Sequence, residues 1–245
     1  MINDILTVMW KEWREVILTR RGLRGGLVNI GLVLLVLGVF MPLQTGAQWL
    51  EDPRQLLIWS WVPIFIALSI ITDSFAGERE RHTLETLLAS RLSDQAILYG
   101  KIAAVVLYAW SLATASMLVG AATINLAFPT GQIQFYSLKS VSAGLLICVL
   151  AALLVACIGV LVSLRAPTVR QAYQRMSVVL IAFWFVPIFV IQFMPDEMKS
   201  RLFGFLSGVN LDHVILGVGA VLAAADIVLL LAVKARFVRP RLILD

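Results

Sequence analysis

Few side chains in this sequence could do chemistry, and those few are scattered. Asp226 is the one acid deep inside an apolar run, with only isolated Ser, Thr and Asn125 at comparable depth elsewhere. His82 and His213 both fall outside the apolar runs. A hydrolase or metalloenzyme buried in lipid needs two or more polar groups facing each other at one depth. No Ser/His pair, carboxylate pair or His/Cys ligand cluster meets that need, so no catalytic residue and no metal site is expected. Cys148 and Cys157 share one run; nine residues apart, at about 100° per residue, they lie on opposite faces of a helix and cannot pair. Both read as small packing residues. The glycines are dispersed, and none opens a phosphate-cradling turn followed by Lys-Ser/Thr. ATP, if it drives this chain, is held by another one. Asp226 has two readings: a substrate or ion contact in a central cavity, or a hydrogen-bonded contact between helices.

The remaining chemistry-bearing stretch is Gly77–Lys101, GERERHTLETLLASRLSDQAILYGK, which is dense in charge and has long apolar runs on both sides. The whole chain explains its setting. Of 245 residues, 60% are hydrophobic and only 14% charged, and the mean hydropathy is +0.91. Soluble domains carry about 25% charged residues. The sequence is therefore read as an all-α polytopic membrane protein forming one transmembrane domain over 1–245. Six spans are expected, at about 27–43, 56–75, 102–128, 138–164, 176–194 and 214–233. Residues 2–20 precede them as an interfacial amphipathic helix. Ile2, Ile5, Leu6, Met9, Trp13, Val16 and Ile17 share one face, Asp4, Lys11, Glu12 and Glu15 fall largely on the other, and Trp10 and Trp13 are candidate anchors. No cleavable signal peptide is expected. Ser93 reads as an N-cap for a helix running into the third span, Pro129-Thr130-Gly131 as a turn, and Asp212 as a cap for the sixth.

Charge then orients the spans. Sixteen of the twenty Lys and Arg residues fall on the side that holds both termini and the Gly77–Lys101 stretch; Arg54, Lys139, Lys199 and Arg201 fall on the other. Positive residues concentrate on the cytoplasmic side, so the termini and the charged stretch are expected there. The net charge of +5 sits at span ends rather than in one stripe, which argues against nucleic acid as a partner.

Within the charged stretch, Glu78-Arg79-Glu80-x-x-Thr83-Leu84-Glu85-x-Leu87-Leu88-x-Ser90-x-Leu92, followed by Gly100-Lys101, resembles the permease subunits of ABC-2-type ABC transporters. In that family a cytoplasmic helix of the form E-R-E-x-G-T-L-E-x-L-L-x-S-P-L joins spans 2 and 3. This sequence departs from the form at His82, where the family usually has Gly, and at Arg91, where Pro is common. The resemblance implies a coupling helix at about 78–91 that docks on a separate ATP-binding subunit. Leu84, Leu87 and Leu88 would fill the partner's groove, while Glu78, Arg79, Glu80, Arg81, Thr83, Glu85 and Arg91 would orient it. It further implies that ATP and Mg are bound by the partner rather than by this chain, and that two permeases associate as a homodimer or paralogous heterodimer. Export across the plasma (bacterial or archaeal inner) membrane is the function expected. Gly208-Val209-x-x-Asp212 resembles the branch containing gliding-motility and copper-enzyme-maturation permeases, so mechanical work in maturing an envelope protein is the alternative.

Overall fold

The computed structural model describes residues 1–18, 28, 30–52, 55–83, 89–208 and 210–237, and all regular structure among them is helical. The helices are α1 (Ile2–Leu18), α2 (Ile30–Thr45), α3 (Gln48–Glu51), α4 (Gln55–Glu80), α5 (Asp94–Ala127), α6 (Leu138–Ser163), α7 (Val169–Phe193), α8 (Asp196–Gly208) and α9 (Leu211–Arg236). Among the described residues α5, α6 and α9 are each long and apolar enough to cross a membrane. The chain is a membrane-embedded helical protein.

Capping residues start the long helices where the sequence has short polar side chains. Ser93 accepts a hydrogen bond from the Ala96 amide, as expected, and Ser137 and Thr168 cap α6 and α7 in the same way. The sixth apolar segment differs from expectation. Asn210, not Asp212, caps α9 by accepting from the Asp212 amide, which leaves the Asp212 carboxylate free to pair with Lys139 at the start of α6. The expected polar link at 44–55 is partly helical as well. Its α3 turn buries Trp49 and Leu50 against Met117, Ala121, Ile124 and Tyr136, because a Trp this large gains most by leaving solvent. Pro129-Thr130-Gly131 turns as expected, with Gly131 at φ +80°.

The core lies between α4, α5 and α6 and extends to α7 and α9. Leu68, Ile71 and Phe75 of α4 meet Ile97, Ile102 and Val105 of α5 and Val155, Ala156 and Val160 of α6. Small residues let α4 and α6 close up: a Cβ at Gly159 would lie 2.2 Å from a methyl of Ile71. Both cysteines are buried and unpaired, Cys157 within this core. In α2 the segment Leu34–Phe40 is wound as a π-helix. Pro42 has no N–H to give the Gly38 carbonyl four residues back. The Thr123 hydroxyl of α5 satisfies that carbonyl instead, at 2.7 Å.

Candidate functional site

The charged stretch folds as the end of one helix, a turn and the start of another. α4 runs on past the apolar residues to Glu80, so Glu78, Arg79 and Glu80, expected to open a separate helix, close the second apolar helix instead. The turn follows at once. His82 sits at φ +56°, its amide donates to the Arg79 carbonyl at 3.1 Å, and the Thr83 amide donates to the Glu78 carbonyl at 2.9 Å. These two bonds form the Schellman helix stop, whose left-handed residue is usually glycine. Here histidine holds the turn at the cost of a left-handed backbone. Leu84, Glu85, Leu87 and Leu88 lie outside the described residues. Arg91 is exposed in a bend before Ser93, and Leu92 packs on the core. Thr83 is exposed and Arg79 half-buried.

The centre of this end of the molecule is Lys101, whose side chain is wholly buried. Its Nζ donates to Glu12 Oε1 of α1 at 2.8 Å, to Glu78 Oε1 of α4 at 2.9 Å and to the Ser74 carbonyl at 2.9 Å. The Ser74 hydroxyl, 3.2 Å from Nζ, donates onward to Glu12 Oε2 at 3.3 Å, and the ammonium also lies 5.1 Å from the centre of the Phe75 ring. An ammonium has three N–H bonds, and here each has a strong acceptor. Charge around it is balanced from the rim: Lys11 approaches Glu78 at 3.5 Å and Glu12 at 3.7 Å. Partial burial works to lower the Lys11 pKa, but the carboxylates of Glu12, Glu78 and Glu15 outweigh it and the net shift is upward. Lys11 therefore stabilises this end through neutral pH, and the contribution fades only as alkaline pH removes its proton.

Glu12 corrects its expected place on the water-facing side of α1: it is buried. The spacing of Ile5, Val8 and Glu12 carried the signal, since steps of three and four residues put all three on one helical face. α1 thus has three faces. Val8 and Glu12 face the protein, Ile2, Leu6 and Trp10 form an exposed apolar stripe, and Lys11 and Arg14 are exposed beyond it. Trp13, expected as an anchor, sets its ring edge-on to Tyr108 of α5 at 6.4 Å. Gly100 permits the crossing of α1 and α5, because a Cβ there would lie 2.6 Å from Val8 Cβ and 3.1 Å from the Ile5 carbonyl. Gly100→Leu should therefore push α1 away and cost about 1–3 kcal/mol; a lower denaturation midpoint in detergent, together with faster proteolysis within residues 1–18, is the expected readout.

Glu80 and Arg81 of the turn also find partners inside the chain. Glu80 Oε2 accepts the first amide of α7, from Val169, at 3.0 Å. Arg81 pairs with Asp73 at 3.3 Å and with Glu15 of α1 at 3.5 Å. Glu78 is buried, although the resemblance placed it on a docking surface. Asp226 lies apart, on α9 beside Cys157 of α6. It is 2% exposed, and both carboxylate oxygens lack a hydrogen-bond partner among the described residues. An ionised carboxylate in that position would cost several kcal/mol.

This geometry joins an E-R-E-R helix stop to a Gly-Lys pair across the start of the next long apolar helix. A family model described as "ABC-2 family transporter protein" matches residues 55–209, more than half of the chain. The chain belongs to the ABC-2 transporter family. Its sequence is also 29% identical over 142 residues to the protein named "ABC transporter permease protein NatB" of Bacillus subtilis (strain 168), a match covering 55% of this chain and 35% of that protein. The chain thus spans about a third of that relative's length. The ABC-2 match begins at the first residue of α4 and takes in the turn, α5, α6 and α7, so Lys101, Glu78 and Ser74 fall within it while Glu12 does not. As a member of the ABC-2 family, the chain is a membrane component of a transporter.

Proposed function

We propose that this chain is the membrane-spanning permease subunit of an ATP-driven ABC-2-type exporter in the plasma membrane, coupled to a separate ATP-binding subunit through residues 78–91. The carrying observation is the junction at the charged end: Arg81, Glu78 and Glu80, at the helix stop and in the last turn before it, are tied by ion pairs and a hydrogen bond to α1, α5 and α7 in turn. A push delivered at such a turn is passed to several helices, whereas a slack loop would absorb it. Family membership and the likeness to a protein named as a permease support the same reading.

In this reading α2, α4, α5, α6, α7 and α9 are six spans, and both termini face the cytoplasm with most of the Lys and Arg residues. Leu84, Leu87 and Leu88 fill an apolar groove of the ATP-binding subunit. Arg79, Thr83, Glu85 and Arg91 meet its rim, while Glu78, Glu80 and Arg81 hold the turn from within. ATP and Mg belong to that partner. Two permeases associate to enclose the pathway, and Asp226 stands where a substrate or second-protomer donor could meet a buried acid. Co-expression with the ATP-binding subunit encoded by a neighbouring gene tests the assignment. The two chains should co-purify, and ATP hydrolysis in reconstituted vesicles should depend on both; a permease that never retains the ATP-binding chain contradicts it.

A further inference from the structure

The helix α1 lies outside the span that matches the ABC-2 family, yet the most buried ionic contacts in the described chain run to it. Lys101 sits on α5, its carboxylate partners sit on α1 and α4, and its carbonyl acceptor Ser74 sits on α4. Apolar packing alone allows two helices to slide, because each methyl finds an equivalent contact a fraction of a turn away. Three short charge-assisted bonds to one ammonium have no equivalent register nearby. The Gly100 crossing blocks the remaining freedom, since Val8 and the Ile5 backbone already touch α5 where any larger residue would collide. Arg81 adds a second tie from the turn to Glu15 of α1. On its far side α1 presents Ile2, Leu6 and Trp10, exposed by 72%, 50% and 62%, a stripe that can shift against lipid without breaking a protein contact.

We infer that α1 is a driven part of the transport stroke, and that Lys101 is the positioning residue that carries displacement of the α4–α5 junction into it. The inference rests on the coupling to an ATP-binding subunit proposed above. α1, the end of α4 and the start of α5 then move as one body when that subunit closes on ATP, while α9, which packs chiefly on α6, does not follow.

Spin labels at Arg14→Cys on α1 and Lys234→Cys on α9 report this directly, because both native side chains are exposed and both native cysteines are buried. In the reconstituted complex of full-length permease and ATP-binding subunit, the distance between labels should shift when nucleotide is trapped. The test variant is Lys101→Met/Glu12→Gln, which removes one charge of each sign at the contact with α1 and leaves Glu78 beside Lys11 at 3.5 Å. It should co-purify with the ATP-binding subunit at the wild-type level and lose at least half of the nucleotide-dependent shift. Lys101→Arg serves where the double variant does not fold: it keeps the charge, but a planar guanidinium cannot reach the three acceptors together, and it too should lose most of the shift. A full shift in either variant overturns the inference, as does a wild-type complex that binds the ATP-binding subunit and traps nucleotide with no movement of α1. Failure of the wild-type permease to retain the ATP-binding subunit at all is a different result, which removes the coupling proposal and this inference with it.

Discussion

Lys101→Met should lower the stability of the folded chain by about 3–5 kcal/mol, one of the largest effects of any single substitution in it. Methionine matches the length of the lysine stem and fills the same space, so lost packing contributes little. The penalty comes from what remains: Glu12 and Glu78 would keep buried carboxylates from which the shared cation has been removed, with the half-exposed Lys11 beside them at 3.5–3.7 Å. Removing one member of a buried ion cluster costs more than removing all of it, because the desolvation penalty stays while the attraction goes. Adding Glu12→Gln and Glu78→Gln to Lys101→Met should therefore recover most of the loss. The denaturant midpoint of the purified chain in detergent, followed by tryptophan fluorescence, measures both steps. Equal stability of the single variant and the native chain would show that the cluster does not hold this end together.

Leu88→Asp should abolish co-purification of the ATP-binding subunit while leaving the permease itself folded and in the membrane. In the proposed interface Leu84, Leu87 and Leu88 enter an apolar groove, and an aspartate there would lose its water without gaining a cation. Buried central residues of an interface commonly cost about 2 kcal/mol or more on truncation, and a buried unpaired charge costs more than truncation, so a retained fraction below about one thirtieth is expected. Exposed Arg91 at the edge of the same segment should behave differently. Arg91→Ala should weaken the complex only severalfold, in keeping with a charge at an interface rim. Unchanged recovery of the ATP-binding chain with Leu88→Asp would remove the apolar docking role from this segment.

The helical class and the run of the long elements were legible because apolar composition over about twenty residues or more leaves little else to form in lipid. Ser93 announced the start of α5 because a short hydroxyl before an acidic residue has one efficient use, accepting an amide of the first turn. Asn210 and Asp212 offered two such side chains within three residues, and pattern alone favoured the wrong one; Lys139, 73 residues earlier, decides the matter by drawing Asp212 away. The same limit governs the charged end. Glu78 and Glu12 each looked solvated beside neighbouring polar residues, and the lysine that buries both lies 23 and 89 residues further along the chain. Long-range ion pairs of this kind leave no local period. What the sequence did carry was the Gly-Lys pair, and the fold uses both members: glycine admits α1, and lysine fastens it.

The central claim is that residues 78–91 face the cytoplasm and are gripped there by an ATP-binding subunit. It is tested most directly with Arg91→Cys, a new thiol at an exposed bend in a chain whose two native cysteines are buried. In membranes containing both subunits, a short bifunctional thiol reagent should join residue 91 to the ATP-binding chain, and an impermeant thiol reagent added outside intact cells should leave it unlabelled. Labelling of residue 91 from outside, with no cross-link to the ATP-binding chain, would contradict the account.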